Sequence, residues 1–427
     1  MPSADSKIPF FQAFAVAAPG LEGLTSFELR RAGIHNPRQE PGGVTFHGTL
    51  ADIRRANLWV RTAERILVRI SRFDAGDFAS LELGARKLSW KKWLRPGAAF
   101  ALSAACRRSA LFHSDAAAQR VADAIMKQVP GAHQVPLSSA DAPEGPGLRE
   151  GTPGRENGSA PNSPHEPAAQ RIFVRIDGGV CDISLDSSGD RLHRRGYRKA
   201  VTAAPLRETL ACAVLLCGGL QALVPALRTG KETAGTRASW LLDPMCGSGT
   251  LPIEAARLLC NIAPGSDRTF AFEKWPLHDA TSWRALLDEA REKRVPPPPG
   301  FTITGSDADG KAIDAARENA ARAGIPAGLI RWETAPAEQM DACRAPGLII
   351  SNPPYGHRLG GARQLTGFFQ TLGQTLTRVR PGSEAAFLLP DDGSGFEKLL
   401  GFGLERKLRF KNGGLPVGLW AGAIPPT

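Results

Sequence analysis

From about residue 205 onward, short apolar runs alternate with longer segments of helical periodicity. This alternation is typical of a parallel, doubly wound α/β sheet, because each crossover between parallel strands needs a helix. The apolar runs predict strands at 240–242, 301–305, 348–351 and 385–389. The periodic segments predict helices at 251–260, 309–323 and 365–379. In such a sheet, ligands bind beside the carboxyl ends of the strands.

The N-terminal part of the chain also alternates, but in shorter elements. Strands are predicted at 14–18, 43–47, 65–72 and 99–105, and helices at 21–32, 52–59, 81–93 and 115–128. Residues 138–169 contain mainly Pro, Gly, Ser, Glu and Ala, so we predict disorder there. A hairpin is then predicted at 172–185. The insertion is therefore expected to interrupt the first module and not to separate two domains.

The charge of the chain is uneven. Lys and Arg outnumber Asp and Glu by 53 to 42 over the whole sequence. Residues 54–127 hold 15 basic and six acidic residues, whereas residues 201–427 hold 25 basic and 22 acidic residues. An acidic polymer would therefore meet the N-terminal half first. A solvated basic surface without such a partner explains the same counts, so charge alone leaves both interpretations open.

The seven cysteines include no Cys-x-x-Cys pair, and the eight histidines are equally dispersed. This spacing predicts a reducing, cytoplasmic location and no metal site. The apolar run near residues 10–18 has only Lys7 as a basic flank, so we expect a first strand there and not a signal peptide. The longest apolar stretch, 211–227, falls short of the roughly 20 residues that span a bilayer, so no membrane association is expected.

A glycine-containing turn follows the first strand of the predicted parallel sheet. It reads Asp243-Pro244-Met245-Cys246-Gly247-Ser248-Gly249-Thr250 and opens directly into a helix. Glycines let a ligand approach the backbone closely, but the pattern is neither G-x-G-x-x-G nor a P-loop. The Asp243 carboxylate would repel a pyrophosphate and suits an ammonium or sulfonium group, which favours S-adenosylmethionine over NAD or ATP. A turn that only packs the helix on the strand would explain the glycines but not the acid.

The second strand of this sheet ends in Gly305-Ser306-Asp307. An acid in this place can accept both ribose hydroxyls of a nucleoside. Capping of the next helix by Asp307 or Asp309 is the alternative. We expect Asp309 to cap the helix and to leave Asp307 free for a ligand. An insertion at 261–300 explains the long spacing between Asp243 and Asp307.

The strand at 348–351 ends in Asn352-Pro353-Pro354-Tyr355. Neither proline can donate a backbone N–H, so a rigid turn must come next. An exocyclic amine on a base is a poor nucleophile, because its lone pair is delocalised into the ring. The Asn352 side-chain oxygen and the Pro353 carbonyl could bind its hydrogens and aim the lone pair at a methyl group, while Tyr355 stacks on the base. A structural cis-proline or tight turn is the alternative.

Motifs along nearly the whole chain are similar to those of one family. They include Pro19-Gly20-Leu21-Glu22, Gly42-Gly43-Val44-Thr45-Phe46, Leu192-His193-Arg194-Arg195-Gly196-Tyr197-Arg198 and Phe270-Ala271-Phe272-Glu273-Lys274-Trp275, besides the glycine turn and the Asn352 tetrapeptide. Together they resemble the THUMP-containing guanine N2-methyltransferases of bacterial ribosomal RNA, which are class I S-adenosylmethionine-dependent enzymes.

The resemblance implies three modules. They are a ferredoxin-like module at 1–65, a THUMP RNA-binding domain at 66–186, and a connector with a Rossmann-like methyltransferase domain at 187–427, whose sheet is mostly parallel and seven-stranded. It also implies methyl transfer to the N2 amine of a guanine in structured RNA, of the large-subunit 23S type. Asp243 and Gly247 to Gly249 would hold the methionine end of the cofactor, Asp307 the ribose, and Asn352 to Tyr355 a flipped guanine.

Other implications of the resemblance stay open. His193, Arg194, Arg195 and Arg198 are candidates for RNA contact, although a basic loop that pairs with local acids is an alternative. Relatives usually carry an acid for the adenine where this chain has Pro336, so Glu338 or a backbone group would replace it. We expect a monomer without metal. A transfer RNA guanine substrate and a non-catalytic RNA-binding assembly factor are the alternative functions. A DNA adenine or protein glutamine methyltransferase would share the tetrapeptide but would not need the THUMP half.

Overall fold

The structure is a computed structural model, and it describes residues 9–137, 169–199, 206–223, 238–343, 345–354 and 362–426. The chain divides into two compact units. The first unit comprises Met1–Ala18, Thr25–Leu192 and Arg268–Leu287, and the second comprises Pro19–Leu24, His193–Asp267 and Asp288–Thr427. The domain boundaries expected after residues 65 and 186 stay predictions. Apart from its last residue, the segment 138–169 lies outside the described residues.

The first unit is built on one eight-stranded sheet. Its strands are β1 (Phe11–Ala17), β2 (Arg38–Glu40), β3 (Gly43–Gly48), β4 (Ala63–Asp74), β5 (Ala99–Arg107), β6 (His133–Gln134), β7 (Gln170–Asp177) and β8 (Val180–Asp186). They lie in the order β2-β3-β1-β4-β8-β7-β5-β6, and only β5 pairs in parallel, with β6 and β7. The long strand β4 pairs with β1 on one side and with β8 on the other, so the sheet continues through both predicted N-terminal modules.

Ten α-helices are described. They are α1 (Glu22–Arg31), α2 (Leu50–Trp59), α3 (Phe78–Lys87), α4 (Ser114–Gln128), α5 (Glu208–Leu215), α6 (Thr250–Leu259), α7 (Ala280–Glu292), α8 (Gly310–Arg322), α9 (Ala362–Val379) and α10 (Phe396–Leu399). The single helix expected at 81–93 is wrong. Helix α3 begins earlier because the Asp77 side chain accepts a hydrogen bond from the Ser80 backbone at 2.7 Å, and a separate 3-10 turn comes after it at Trp90–Lys92.

The second unit is built on a seven-stranded sheet. Its strands are β9 (Trp240–Asp243), β10 (Thr302–Asp307), β11 (Ile330–Thr334), β12 (Leu348–Ser351), β13 (Glu384–Pro390), β14 (Glu405–Asn412) and β15 (Leu415–Ala423). They lie in the order β11-β10-β9-β12-β13-β15-β14. The first five strands run parallel, and β15 runs antiparallel between β13 and β14. The predicted, mostly parallel sheet is therefore confirmed. Strand β14 was not predicted, because it is basic and only Phe410 in it is buried.

The core of the second unit fixes the ends of its central strands. Phe369, Leu372 and Leu376 of α9 pack in one buried cluster with Ile349 of β12 and Phe387 of β13. Burial of each such side chain contributes roughly 1.5–3 kcal/mol. The helix therefore holds β12 and β13 against each other where the Asn352 turn begins. In the described part of the chain, no helix has the length and apolar character needed to cross a bilayer.

Candidate functional site

The sequence candidates converge at one edge of the second unit's sheet. Strand β9 is central, and the chain passes from it to β10 and β11 on one side before it returns to β12 on the other. The carboxyl ends of β9, β10 and β12 carry Asp243, Asp307 and Asn352. A reversal of strand order beside a central strand opens the crevice in which doubly wound sheets bind their ligands.

The glycine turn adopts a conformation that other residues would strain. Gly247 and Gly249 have φ values of 52° and 84°, in the left-handed region. A Cβ atom on Gly249 would lie 2.8 Å from Cη2 of Trp332 and 2.9 Å from Cβ of Ala316. The turn is also tied to the next strand, because the Cys246 backbone N–H donates to the Ser306 carbonyl at 2.9 Å. Helix α6 begins directly after this turn, at Thr250.

Asp243 lies beneath the turn and is 1% exposed. Its Oδ1 accepts hydrogen bonds from the Ser351 hydroxyl at 2.7 Å and from the Met245 backbone N–H at 3.2 Å. Desolvation raises the pKa of Asp243 to about 7, although both hydrogen bonds act to lower it. The carboxyl group is therefore poised between its neutral and ionised forms near neutral pH, and a nearby cation would favour the ionised form.

Asp307 holds the glycine turn as well as the strand end. Its Oδ2 accepts from the Gly247 N–H at 2.9 Å, and its Oδ1 accepts from the Asp309 N–H at 3.0 Å. Asp309 caps α8 by accepting from the Lys311 N–H at 2.9 Å, which confirms its predicted role. Asp307 is therefore not the cap of α8, although its carboxylate also makes local contacts that the sequence did not predict, and its role toward a ligand stays a prediction. Each carboxylate oxygen nevertheless has a second lone pair, so capacity for ribose hydroxyls remains.

Asn352 presents an acceptor without a donor. Its side-chain Oδ1 is buried and has no hydrogen-bond partner among the described residues. Both prolines that come after it are joined by trans peptide bonds, so the cis-proline alternative does not hold. Leaving a buried acceptor unsatisfied costs about 1–3 kcal/mol. Such a group is typical of a site that receives a hydrogen-bond donor from a ligand. Tyr355, the predicted stacking residue, lies outside the described residues.

The connector residues proposed for RNA contact need a correction. His193 is 5% exposed and Arg195 is 1% exposed, so both side chains are buried. Arg198 is also largely enclosed and pairs with the buried Glu208 at 3.3 Å. Pairing with local acids is therefore the better interpretation of these residues. Arg194 is exposed, and its contact with RNA stays a prediction.

A buried polar cluster lies behind the glycine turn and was not predicted from the sequence. Glu254 of α6 is fully buried and accepts from the Tyr197 hydroxyl at 2.9 Å and from the Cys212 thiol at 3.1 Å. Burial acts to lower the pKa of Arg195, but negative neighbours, Glu254 foremost, raise it above its ordinary value. The connector thus supplies a cation and a hydroxyl to the helix that carries the glycine turn. The available signal was two charged residues, Glu254 and Arg257, within a mostly apolar helix.

The segment after β11 closes on β10 through its backbone. The Ala335 N–H donates to the Asp307 carbonyl at 3.0 Å, and the Ser306 hydroxyl donates to the Ala335 carbonyl at 3.0 Å. Pro336 then begins a 3-10 turn at Ala337–Gln339. The adenine contact by Glu338 or a backbone group stays a prediction. Among the described residues, no group of three His, Cys, Asp or Glu side chains is arranged to hold a metal ion.

Three family models match the chain. They are the RlmL ferredoxin-like domain over residues 12–67, the THUMP domain over residues 75–143 and the RMKL-like methyltransferase domain over residues 195–416. The matches confirm the order of modules expected from the sequence.

Proteins that are similar to this chain over most of its length are named as RNA methyltransferases. "Ribosomal RNA large subunit methyltransferase K/L" of Methylococcus capsulatus is 38% identical over 97% of this chain but only 51% of its own length. The chain thus spans about half the length of the first curated relatives it matches. "Putative RNA methyltransferase slr0064" of Synechocystis is 32% identical over 95% of both chains.

Solved structures extend the similarity. The methyltransferase SMU.472, crystallised with SAH, matches with a TM-score of 0.76 and 28% identity over 98% of each chain. A Listeria monocytogenes protein titled as a predicted N6-adenine-specific DNA methylase matches with a TM-score of 0.74 and 29% identity over 96% of each chain. Both titles name methyl transfer, but only the second names a substrate.

Proposed function

The chain belongs to the RMKL-like methyltransferase family, and from that premise we propose that it methylates the exocyclic N2 amine of a guanine in ribosomal RNA, with S-adenosylmethionine as the methyl donor. The curated relatives are named as large-subunit ribosomal RNA enzymes, and the THUMP model matches the N-terminal half. The chemistry is supported by the residues at the carboxyl edge of the second unit's sheet.

These residues fit the cofactor. When bound, S-adenosylmethionine supplies an electrophilic methyl group on a positively charged sulfur. The buried Asp243 offers a carboxylate to a positively charged ligand, and the left-handed glycines let a ligand approach the backbone. Asp307 retains acceptor capacity for ribose hydroxyls beside the same turn. The orphaned Asn352 oxygen and the rigid prolines stand at the next strand end.

The observation that carries the proposal is the buried Oδ1 of Asn352, which lacks a donor within the described residues. An exocyclic amine carries two hydrogens and can satisfy this atom. Accepting one hydrogen orients the amine and opposes delocalisation of its lone pair into the ring. The Pro353 carbonyl is the proposed second acceptor, and Tyr355 is the proposed stacking partner. Rate gain from such a site comes mainly from orientation and fixed dipoles.

RNA as the acceptor fits the surface of the first unit. We define the basic strip as five exposed side chains at the end of α3 and in and after the 3-10 turn at Trp90–Lys92, namely Arg86, Lys87, Lys91, Lys92 and Arg95. No acid occurs between residues 86 and 95. Clustered cations of this kind bind the phosphates of nucleic acids and contribute affinity without sequence specificity.

The finer parts of the proposal rest on the relatives' names. Ribosomal over transfer RNA and the large subunit come from that source. Guanine as the base comes from the resemblance of the sequence motifs and is part of the proposal. We propose a cytoplasmic location, because ribosomal RNA is the proposed substrate. We also propose that the protein acts as a monomer without a metal ion.

Mapping of modified nucleosides tests the proposal. Ribosomal RNA from cells with and without the protein is digested and examined by mass spectrometry, which separates N2-methylguanosine from N6-methyladenosine. We expect one N2-methylguanosine to disappear from the large-subunit RNA and to return with the wild-type gene. Loss of N6-methyladenosine would show that adenine is the methylated base, and loss of a transfer RNA modification would show that transfer RNA is the substrate. Either result would reject the proposed substrate.

The role of Asn352 is tested separately. Asn352→Ala should lower the rate of transfer by at least about 100-fold, because an acceptor that orients the amine is gone. Its affinities for RNA and for the cofactor should stay close to wild type, in a filter assay and by calorimetry. Asn261→Ala is the matched control, because the side-chain amide of this asparagine of the same unit donates to the Lys293 backbone carbonyl, outside the site. An equal loss of RNA binding in Asn352→Ala would reject the assigned role.

A further inference from the structure

Phe112 is the most exposed large apolar side chain in the described part of the chain, with 74% of its surface accessible. It lies in the loop between β5 and α4. The preceding residue, Leu111, is only 2% exposed, so the loop is anchored in the unit and holds the phenyl ring outward. An anchored loop that exposes an aromatic ring forgoes the free energy that burial would give, and this marks the ring as a candidate contact.

His113 extends the aromatic surface. The centroids of the Phe112 and His113 rings are 4.2 Å apart, with an angle of 46° between the ring planes. His113 occupies the residue before α4, where many side chains cap the helix, but its imidazole makes no capping hydrogen bond. The two rings therefore form one exposed aromatic surface, which we call the Phe112–His113 step. The His113 ring does not cap the helix.

Two guanidinium groups lie near this step in the chain fold, Arg108 at the start of the same loop and Arg175 on β7, which pairs with β5. Arg108 is 81% exposed, and Asp177 holds it through Nε at 2.9 Å and Nη2 at 2.7 Å. Arg175 reaches the other oxygen of Asp177 at 3.2 Å. The parallel pairing of β5 with β7 produces this arrangement, because Arg107 lies opposite Asp177. Asp177 thus fixes the direction of two guanidinium groups, and each has further N–H groups for a phosphate.

We propose that the Phe112–His113 step and Arg108 form a binding site for single-stranded RNA, in which an unpaired base stacks on the rings and Arg108 contacts the adjoining phosphate. The proposal deepens the proposed function and rests on its RNA substrate. Stacking on exposed aromatic rings accepts any unpaired base, whereas bases in a duplex are already stacked and inaccessible. A protein partner is less favoured, because residues 107–113 contain two arginines, one histidine and no acid.

The test compares two exposed phenylalanines of the first unit in the full chain. Phe112→Ala is measured beside Phe10→Ala, whose ring is 68% exposed. The probes are a fluorescein-labelled 12-nucleotide single-stranded RNA and a duplex of the same sequence. We expect Phe112→Ala to weaken single-strand binding by about fivefold to 100-fold, and Phe112→Trp to restore it. Phe10→Ala and the duplex affinity should stay unchanged, and ultraviolet cross-linking should modify the peptide that contains Phe112.

Other outcomes would overturn the stacking site. These are an unchanged single-strand affinity in Phe112→Ala, an equal loss in both alanine variants, or an altered sedimentation coefficient without a change in RNA binding, which would indicate a protein contact. Failure of the proposed function is a different result. The oligonucleotide would then depend on Phe112 while ribosomal RNA shows no N2-methylguanosine that depends on the protein.

Discussion

A glutamate lies among positive side chains in each unit, and the two sites differ in their access to water. Glu82 on α3 contacts Arg86 at 2.5 Å, Arg120 at 3.6 Å and Lys127 at 3.8 Å, and all three cations are about half exposed or more. Glu254 on α6 is fully buried, is the foremost negative neighbour of the buried Arg195, and accepts from one hydroxyl and one thiol donor. Similar residue types therefore occur in opposite environments.

The difference separates two uses of arginine. At the surface, water screens each pair, so a single ion pair contributes little to stability while its cations remain available to a polymer. In the interior, the pair has lost its hydration, and removal of one partner leaves a buried charge without compensation. The basic residues of the first unit are thus suited to binding RNA, while those of the connector stabilise the helix behind the glycine turn.

Among the variants that test this comparison, Glu254→Ala should have the largest effect on stability. It leaves the buried Arg195 without its main counter-charge and removes acceptors from Tyr197 and Cys212, so we expect the free energy of unfolding to fall by about 3–5 kcal/mol. The measurement is urea unfolding of the full chain, monitored by a probe of the second unit. Glu254→Gln is the matched control, because it keeps the shape and one acceptor oxygen but not the charge.

The result of that pair of variants separates charge from packing. If charge compensation dominates, Glu254→Gln should be destabilised nearly as much as Glu254→Ala. Wild-type stability in Glu254→Ala would contradict the charge compensation of Arg195 by Glu254 and would make the connector arginines candidates for RNA contact again.

Apolar periodicity and turn chemistry made part of the second unit predictable from its sequence. The strands that end at Asp243 and Asp307, the helix after the glycine turn and the Asp309 cap were all foreseeable, because apolar period and capping residues act locally. The exposure of Arg194 and the burial of Arg195 could not be predicted from the sequence. Adjacent residues in an irregular connector have no helical or strand periodicity that would show which side chain faces the interior. The second role of Asp307, on the Gly247 N–H, depends on a pairing 60 positions apart in the chain.

Asp243 gives the second expected effect, a pH dependence that an exposed acid would not show. Its pKa is raised to about 7, and the ionised form suits a cationic ligand. As the pH increases toward 7, affinity for S-adenosylmethionine should therefore rise by up to about tenfold per pH unit. Above pH 7 the affinity should level off. Calorimetry in buffers of different ionisation enthalpy should detect release of a proton on binding at pH 6. Asp243→Asn should remove this dependence.

The stability of the protein without cofactor should change in the opposite sense. Unfolding returns Asp243 to its ordinary pKa of 3.8, so between about pH 4 and pH 7 the folded protein holds a proton that the unfolded chain releases. The contribution of this group to the free energy of unfolding therefore falls as the pH rises through that window. A difference between wild type and Asp243→Asn that is independent of pH would contradict the raised pKa.

Glu82→Ala should have the smallest effect and provides the counterpart of Glu254→Ala. The substitution leaves Arg86, Arg120 and Lys127 without a carboxylate, but water already solvates them, so the free energy of unfolding should change by less than about 1 kcal/mol. RNA affinity at low salt should increase about twofold to threefold, because one repulsive charge beside the basic strip is gone. A filter assay over a salt series checks this, since the gain should shrink as salt screens the phosphates. A loss of stability as large as that of Glu254→Ala would mean that exposure does not distinguish the two glutamates. A loss of RNA affinity would mean that Glu82 positions the cations that bind RNA.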